Sequence, residues 1–206
     1  AACDWSSDVC SSDLSQTGTG KTLAYLLPLF QKIDSTKREM QVIILAPTHE
    51  LVMQIHNEIS LLSKNSNSNI TSCPIIGEVN IKRQIEKLKE KPHIIVGSAG
   101  RVFELIKKKK ISAHTVKTIV LDEGDRLLDK SNAPKVKDVI KTTMRDTQIL
   151  MFSATISQRT MDIANVILKN PRVIKVKASE LMNPNISHMY FQCEARDKIE
   201  IDRKST

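Results

Sequence analysis

The sequence predicts an α/β fold, a mainly parallel sheet with helices on both faces, from three observations. Short continuous apolar runs such as 42–46 alternate with longer segments, such as 50–62, whose apolar residues recur at helical spacing. Strands that are apolar throughout are typical of a parallel sheet covered on both faces. The main apolar runs are each followed by a short polar or charged turn, which is where open α/β sheets bind ligands. The sequence therefore predicts a ligand-binding domain with its site at the carboxyl ends of the strands.

The individual elements follow in chain order from residue 21. Apolar residues at helical spacing predict helices over 21–33, 50–62, 80–88, 101–106, 136–144 and 158–168. Apolar runs predict strands over 42–46, 70–76, 93–96, 116–121, 148–152 and 173–176. Asn80 is expected to cap the third helix and Pro92 to stop it. Repeated strand-then-helix units imply that the strands run parallel.

The composition is that of an ordinary globular domain with a positive charge. Of 206 residues, 40% are hydrophobic and 26% are charged, and the net charge is +8. No apolar run approaches the roughly 18 residues of a membrane span, so no membrane association is expected. The excess of Lys and Arg favours a polyanionic partner. The four cysteines (Cys3, Cys10, Cys73 and Cys193) lack the spacing of a disulfide framework or zinc site, so we expect a reducing, cytoplasmic location.

Residues 1–14 differ in composition from the rest of the chain. They hold the one Trp, two of the four Cys and three Asp, but no Lys or Arg. Residues 4–14 resemble the translation of a sequencing-adapter oligonucleotide, and a natural acidic leader is the alternative. We therefore expect a non-native, disordered leader in place of the strand that should precede the next segment.

A glycine-rich loop leads directly into the helix predicted at 21–33. Its glycines let successive N–H groups point into one concavity at a helix N-terminus, which favours a polyphosphate. Lys21 would reach the terminal phosphates and the Thr22 hydroxyl would ligate Mg²⁺, although Ser15 stands where the general P-loop pattern has Gly. The candidate phosphate contacts are Gln16, Thr17, Gly18, Thr19, Gly20, Lys21 and Thr22. A glycine-rich helix start that binds nothing is the alternative.

Two carboxylates directly follow the apolar run at 118–121. An acidic residue in this position can hold the Mg²⁺ that bridges the phosphates, and the next one can activate a water for in-line attack. We assign Asp122 to the metal and Glu123 to the general base. A solvated acidic turn that caps the next helix is the alternative.

Six short motifs follow one another along the chain. They are Ser-Gln-Thr-Gly-Thr-Gly-Lys-Thr at 15–22, Pro-Thr-His-Glu-Leu at 47–51, Gly77, Ser-Ala-Gly-Arg at 98–101, Asp-Glu-Gly-Asp at 122–125 and Ser-Ala-Thr at 153–155. In this order they resemble the first RecA-like domain of a DEAD-box RNA helicase of superfamily 2, over about residues 15–206. The resemblance implies a P-loop NTPase fold that couples binding and hydrolysis of ATP with Mg²⁺ to RNA unwinding. It also implies a RecA-like domain at 15–178, followed at 179–206 by a linker and the start of a second RecA-like domain.

The resemblance also assigns roles to residues outside the nucleotide site. Asp125, with Ser153, Ala154 and Thr155, resembles the set that couples hydrolysis to domain movement, and without the resemblance 153–155 reads as a helix N-cap. Positions that contact the RNA sugar-phosphate backbone are occupied by Thr48, Gly77, Ser98, Gly100 and Arg101. Backbone contacts of this kind are independent of RNA sequence and sensitive to salt. An aromatic content of only 3% fits backbone contacts better than base stacking.

Four positions depart from the family pattern. His49 stands where the family usually has Arg, which would make a cation near the RNA loops depend on pH. Glu78 replaces a second Gly, Ala99 replaces Pro, and Gly124 replaces Ala. The lysine run 107–110 could also touch RNA, but a solvated helix end is the favoured interpretation.

We expect the chain to be a monomeric fragment that binds nucleotide weakly and unwinds RNA negligibly. The family's adenine-reading segment would lie upstream of the phosphate loop, and its second domain would supply arginines worth on the order of 10³ to 10⁵ in rate. We find neither in this sequence. A DNA-directed superfamily 2 motor and a non-catalytic RNA-binding fragment are the two alternatives.

Overall fold

The computed structural model describes residues 11–14, 20–77, 79–155, 157–168 and 171–175, with backbone only for 11–14 and 175. These residues form a seven-stranded sheet in which every paired strand is parallel, in the order β3-β4-β2-β5-β6-β1-β7. The predicted α/β fold with a parallel sheet is therefore confirmed. By its backbone contacts the chain divides after Val176 into two compact units, and all described residues belong to the first.

The element bounds lie close to those predicted. The strands are β1 (Ser11–Leu14), β2 (Val42–Leu45), β3 (Ser72–Ile75), β4 (Ile94–Gly97), β5 (Thr118–Asp122), β6 (Gln148–Ser153) and β7 (Arg172–Lys175). The helices are α1 (Lys21–Lys32), α2 (His49–Asn65), α3 (Ile81–Leu88), α4 (Ala99–Lys107), α5 (Gly124–Leu127), α6 (Ala133–Lys141) and α7 (Gln158–Ile167), with a 3₁₀ turn at Ala113–Thr115. Asn80 caps α3 as predicted, since its side chain accepts from the Lys82 N–H at 2.9 Å. No helix among the described residues has the length and apolarity needed to cross a membrane.

Helices cover both faces of the sheet and create two separate apolar cores. Successive residues of a strand point to opposite faces, so Ile43 joins one core and Ile44 the other, and both are fully buried. Helices α1 and α2 pack on the Ile44 face, whereas α3, α4, α6 and α7 contribute to the Ile43 face. Burial on both faces explains why β2, β4 and β5 are apolar along nearly their whole length.

The prediction of a disordered leader through residue 14 is wrong for its last four residues. Ser11–Leu14 form β1, which pairs in parallel with β6 on one side and β7 on the other. The pairing uses backbone N–H and C=O groups, and an interior place in the sheet supplies partners on both sides, so no apolar run is needed. Residues 1–10 lie outside the described part of the chain, and the assignment of 1–14 as a non-native leader stays a prediction.

Two local differences have simple causes. Helix α4 begins at Ala99, earlier than the predicted start at 101, because Ser98 has the extended backbone of an N-cap residue. Helix α5 was not predicted, because a single helical turn of four residues leaves no periodic pattern.

Buried His93 makes the stability of this fold depend on pH. Its side chain is only 4% exposed, and its Nδ1 accepts a hydrogen bond from the Thr71 backbone N–H at 3.1 Å. Burial lowers the pKa of His93 below 6.5, and Arg38 lowers it further, while the backbone of Ser35 and the carboxylate of Asp34 oppose the shift. The pKa of His56 is lowered as well, by burial and by Lys87. Protonation of these histidines therefore favours the unfolded chain.

We expect the free energy of unfolding to fall as the pH decreases below about 6.5. Histidines of the unfolded chain take up protons near pH 6.5, whereas folded His93 takes one up only at a lower pH. The stabilisation that comes from keeping His93 neutral is therefore fully present above pH 6.5. It is lost as the pH falls from 6.5 to the lower pKa of folded His93. One histidine contributes a slope of at most about 1.4 kcal/mol per pH unit. Urea unfolding between pH 5 and 8 should show that the free energy of unfolding changes less steeply with pH in His93→Asn than in the unaltered chain. An unchanged dependence on pH would contradict the role assigned to His93.

Candidate functional site

The helix that follows the glycine-rich loop begins as the phosphate-site prediction requires. Gly20 is the N-cap of α1 with φ 81° and ψ 16°, a left-handed conformation that favours glycine. Lys21 and Thr22 are the first two residues of the helix, so its N-terminal N–H groups and dipole lie beside them. The predicted contacts Gln16, Thr17, Gly18 and Thr19 lie outside the described residues and stay predictions.

Asp122 is held firmly at the carboxyl end of β5. It is only 5% exposed, its Oδ1 accepts from the Glu123 N–H at 2.9 Å, and its Oδ2 accepts from the Tyr25 hydroxyl at 2.9 Å. Burial raises the pKa of Asp122, while the hydrogen bonds from Tyr25 and Glu123 and the charge of Lys21 oppose that shift. Lys21 and Asp122, predicted to act on the same phosphates from positions 101 residues apart, are therefore brought within electrostatic reach of each other.

Glu123 occupies the turn between β5 and α5 in a left-handed conformation, with φ 52° and ψ 55°. This conformation is uncommon for a residue other than glycine, and strain of this kind clusters at functional sites. Its Oε2 lies 3.2 Å from Arg126 Nη1, but that buried oxygen accepts no hydrogen bond of normal geometry. The contact is an ion pair that leaves acceptor capacity on the carboxylate, as a general base requires.

Hydrogen bonds connect three of the four residues that are predicted to couple hydrolysis to domain movement. Ser153 Oγ accepts from the Asp125 N–H at 3.2 Å and donates to the Thr155 carbonyl at 2.6 Å. The Thr155 hydroxyl donates to Asp125 Oδ2 at 2.9 Å. Ala154 lies between the two and is exposed. Two of these hydrogen bonds join the β5 turn to the β6 turn, and the third braces the β6 turn itself.

The reading of 153–155 as a helix N-cap is wrong. The N-cap of α7 is Ser157, whose side chain accepts from the Thr160 N–H at 3.1 Å. Because the cap lies two residues further on, the side chains of Ser153 and Thr155 remain available to bond across to Asp125.

The oxygen donors at this edge fit Mg²⁺. Mg²⁺ is usually held by one or two carboxylates together with phosphate oxygens and water, and hard oxygen ligands are preferred. Thr22 offers a hydroxyl at the start of α1, and Asp122 offers a carboxylate that accepts from the hydroxyl of Tyr25 in the same helix. In the described part of the chain, no cluster of three or more His, Cys, Asp or Glu side chains could hold a metal by itself. The arrangement suits a metal that arrives with a nucleotide.

The turns at β3 and β4 bring two predicted RNA contacts together. The Arg101 guanidinium, in the first turn of α4, donates to the Gly77 carbonyl beyond β3. Arg101 Nε also lies 3.3 Å from Glu104 Oε2, so the side chain is fixed from two sides. Gly100 directly precedes it in the helix, and its open side faces Lys135, whose Cδ lies 3.5 Å from where a Cβ would stand.

Thr48 and Ser98 occupy equivalent positions at the starts of two helices. Thr48 is the N-cap of α2 and accepts from the Leu51 N–H at 3.3 Å, which still leaves its hydroxyl proton to donate. Ser98 is the N-cap of α4, and its backbone N–H donates to the Ile75 carbonyl at 3.2 Å. Both face the carboxyl edge of the sheet, beyond adjacent strands β2 and β4.

The strand order divides the predicted site residues into two adjacent sets on this edge. Strands β3, β4 and β2 are neighbours, and they end at the residues assigned to RNA. Strands β5, β6 and β1 are the next neighbours, and they end at the residues assigned to nucleotide and coupling. The two sets meet between β2 and β5, which pair directly. The order of the motifs along the chain does not show this division. Strand β1 precedes the strands of the RNA set, and β5 and β6 follow β4, so the nucleotide and coupling set is divided along the sequence.

The departures from the family pattern have partial structural explanations. A Cβ on Gly124 would stand 2.5 Å from Met151 Cγ and 2.8 Å from its Sδ, so glycine here makes room for the Met151 side chain. Ala99 is buried at the start of α4 within the Ile43-face core. His49 is the first residue of α2 and is half-buried. Glu78 lies outside the described residues.

The lysine run 107–110 lies at the exposed end of α4 and the turn after it. Lys108 pairs with Glu104 at 2.7 Å, and Lys107 Nζ lies 5.2 Å from the ring centroid of Phe103. These contacts within the helix fit the interpretation as a solvated helix end.

Two further residues support the site and were not predicted. Gln84 is only 3% exposed, and its Nε2 donates to the Ile76 carbonyl at 2.6 Å, so it fixes the turn that carries Gly77. A signal existed, because Gln84 stands at an apolar position of α3, in line with Ile81, Ile85 and Leu88. Tyr25 reads as one more apolar residue of α1, and nothing in its spacing indicates the contact with Asp122.

Comparison with known proteins agrees with this geometry. The chain is 47% identical over 190 residues to the "Probable ATP-dependent RNA helicase YfmL" of Bacillus subtilis, an alignment that covers 92% of this chain and 50% of that protein. It is 46% identical over 190 residues to the DEAD-box ATP-dependent RNA helicase CshC of Bacillus cereus, covering 92% of this chain and 48% of the relative. The chain therefore spans about half the length of these curated relatives.

The fold matches solved structures of the same class. A DEAD box protein from the hyperthermophile Methanococcus jannaschii superimposes with a TM-score of 0.76 at 28% sequence identity, covering 96% of this chain and 52% of that one. This likeness confirms the predicted RecA-like fold. The family model described as DEAD/DEAH box helicase matches residues 12–163, a range that includes part of β1, both carboxylates and the coupling turn. The chain belongs to the DEAD/DEAH box helicase family.

Proposed function

We propose that this chain is the ATP-binding half of an ATP-dependent RNA helicase and that it binds ATP with Mg²⁺ and the RNA backbone on one edge of its sheet. The observation that carries the proposal is the division of that edge into two adjacent sets of residues, one beyond β5, β6 and β1 and the other beyond β3, β4 and β2. Similarity to named RNA helicases over 92% of the chain supports it. We further propose that the chain is a monomer and requires a second RecA-like domain for unwinding.

Each residue of the nucleotide set has a separate role in the proposed hydrolysis of ATP. Lys21 neutralises charge on the terminal phosphates, and α1 presents its N-terminal N–H groups to them. Thr22 and Asp122 would hold Mg²⁺, which would neutralise charge on the phosphate oxygens. Glu123 accepts the proton of the attacking water through a carboxylate that has acceptor capacity to spare. The hydrogen bonds among Asp125, Ser153 and Thr155 connect that turn to β6.

The residues of the RNA set bind the sugar-phosphate backbone of RNA and do not recognise its bases. Arg101 supplies the cation, while Thr48 and Ser98 supply hydroxyls and backbone N–H groups, and Gly77 and Gly100 allow the phosphates to approach closely. The affinity of such a site depends on phosphate neutralisation and falls with salt.

A cytoplasmic location is part of the same proposal. Cys73 is a buried free thiol whose pKa burial raises to about 11, so it is protonated and unreactive at neutral pH. An unpaired cysteine of this kind suits a reducing compartment.

The proposal is tested by binding measurements on the chain itself. Fluorescent ADP with Mg²⁺ should bind weakly, and single-stranded RNA should bind with an affinity that falls steeply between 50 and 200 mM salt. Removing one phosphate contact with Arg101→Gln should lower the salt slope by about 1. Lys64→Gln, at the exposed end of α2 away from this edge, is the matched control and should leave the slope unchanged.

The other results would point elsewhere. Equal or tighter binding of single-stranded DNA would favour a DNA-directed motor of the same superfamily. RNA binding without any nucleotide binding would favour a non-catalytic RNA-binding fragment. Turnover of ATP with RNA at the rate of a two-domain helicase would contradict the need for a second domain.

A further inference from the structure

The hydroxyl of Tyr25 contacts the carboxylate assigned to the metal. Tyr25 lies one turn into α1 and is fully buried. Its hydroxyl donates to Asp122 Oδ2 at 2.9 Å. This bond joins α1, whose first residues are Lys21 and Thr22, to the end of β5.

The ring and the hydroxyl of Tyr25 have separate functions. The ring belongs to the Ile44-face core and packs against Phe152, with ring centroids 5.1 Å apart and a 48° tilt. Phenylalanine would fill this space equally well. A buried hydroxyl costs free energy unless it is bonded, so its presence indicates a bonding function and not a packing function.

The contact fixes the Asp122 carboxylate from its second side. Oδ1 already accepts from the Glu123 N–H, so with Tyr25 on Oδ2 both oxygens are oriented. Each carboxylate oxygen has a further lone pair, so both remain able to accept from metal-bound water or to bind a cation. The Tyr25 hydroxyl is the donor in this contact, because a carboxylate oxygen can only accept.

We propose that Tyr25 is a positioning residue that holds Asp122, relative to the start of α1, in the orientation needed to bind a magnesium–nucleotide complex. The proposal rests on the proposed function and goes beyond it, because it assigns a role to a residue outside the phosphate loop and the carboxylate turn. Groups that orient metal ligands in this way typically change metal affinity 10- to 100-fold when removed.

Tyr25→Phe tests the proposal because it removes one oxygen and keeps the ring. We expect the affinity for ADP in the presence of Mg²⁺ to fall about 10-fold, on the scale of such orienting contacts. The affinity for ADP in EDTA should stay within about 2-fold of the original, since the phosphate contacts of Lys21 and α1 are unchanged. Mn²⁺ binding in the presence of ADP, followed by electron paramagnetic resonance, should weaken in parallel and provides a readout independent of catalysis.

Two controls separate positioning from general stability. Phe152→Leu removes the ring contact while the Tyr25 hydroxyl keeps its bonds, so it should lower the unfolding midpoint and leave the Mg²⁺ dependence unchanged. Replacing Tyr25 by 4-aminophenylalanine restores an N–H donor and should recover the Mg²⁺ dependence. This second variant also serves if Tyr25→Phe does not fold.

The outcomes are distinguishable. Failure of the unaltered chain to bind ADP with Mg²⁺ would overturn the proposed function. If the unaltered chain binds, then equal Mg²⁺ dependence in Tyr25→Phe would overturn the role of Tyr25. An equal loss of affinity with Mg²⁺ and in EDTA would also overturn it, because a positioning effect is confined to the metal-dependent part of binding.

Discussion

Replacing Glu123 by glutamine is expected to lower the rate of RNA-stimulated ATP hydrolysis by a factor on the order of 10² to 10⁴, the usual contribution of a general base. Glutamine has nearly the same shape but cannot take a proton from water, so nucleotide binding should be retained. The measurement requires a two-domain protein, which can be made by joining this chain to the second half of the Bacillus subtilis relative. The structural reason is the position of the Glu123 carboxylate, held at a strained turn next to Asp122 with a buried oxygen that accepts no hydrogen bond.

Lys21→Ala in the same chimera is the matched comparison. It should also abolish hydrolysis, but through loss of nucleotide affinity, by about 10-fold or more for a charge-assisted contact. The pair therefore separates binding from chemistry. Retained turnover in Glu123→Gln, or unchanged ADP affinity in Lys21→Ala, would refute the corresponding role.

Gly97→Ala is expected to destabilise the fold by about 3 kcal/mol or more, at the upper end of overpacking effects. A Cβ on Gly97 would stand 2.5 Å from the Ile75 carbonyl oxygen and 2.8 Å from Ile75 Cβ. Ile75 is the paired residue on the neighbouring strand, so relief requires β3 and β4 to separate. A Cβ would also stand 3.0 Å from Val102 Cγ2 in the helix that packs above.

Gly100→Ala is the control three residues away. Its Cβ would meet only the flexible Lys135 side chain, at 3.5 Å, and alanine favours the helix by up to about 1 kcal/mol. Urea unfolding should therefore show a lower midpoint for Gly97→Ala and an equal or higher midpoint for Gly100→Ala. If Gly100 contacts the RNA backbone as proposed, RNA affinity should fall in Gly100→Ala, because the added methyl group would stand between the helix and the RNA phosphates. An unchanged midpoint for Gly97→Ala would show that β3 and β4 can move apart at little cost.

Much of the fold could be predicted because burial on both faces leaves a continuous apolar signal. The strands at Val42–Leu45 and Ile94–Gly97 were located to within about one residue for that reason. The strand at Ser11–Leu14 gives no such signal, since polar residues can occupy an interior strand when neighbouring backbones supply both ladders. Composition alone therefore led to the wrong prediction that these four residues are disordered.

The sequence predicted which residues stand in each turn of the candidate site, but not the contacts between different turns. Asp122 and Glu123 could be assigned from their place after an apolar run, whereas the roles of Asp125 and of residues 153–155 came from the family resemblance. The hydrogen bonds between the two turns depend on β5 and β6 being neighbours. The bond from Tyr25 to Asp122 depends on where α1 crosses the sheet, which helical periodicity does not specify. Gln84 was the one unpredicted residue with a sequence signal, a polar side chain at an apolar helical position.

The direct pairing of β2 with β5 has a mechanical consequence. Four residues of each strand are joined in register, from Val42 opposite Thr118 to Leu45 opposite Leu121, and all of them are buried. Close-packed interiors deform little, so within this chain the distance between the nucleotide set and the RNA set of residues is nearly constant. Under the proposed function, a change of bound nucleotide would therefore not shift one set of residues against the other. The movement that separates RNA strands would come from the second RecA-like domain that the proposal requires.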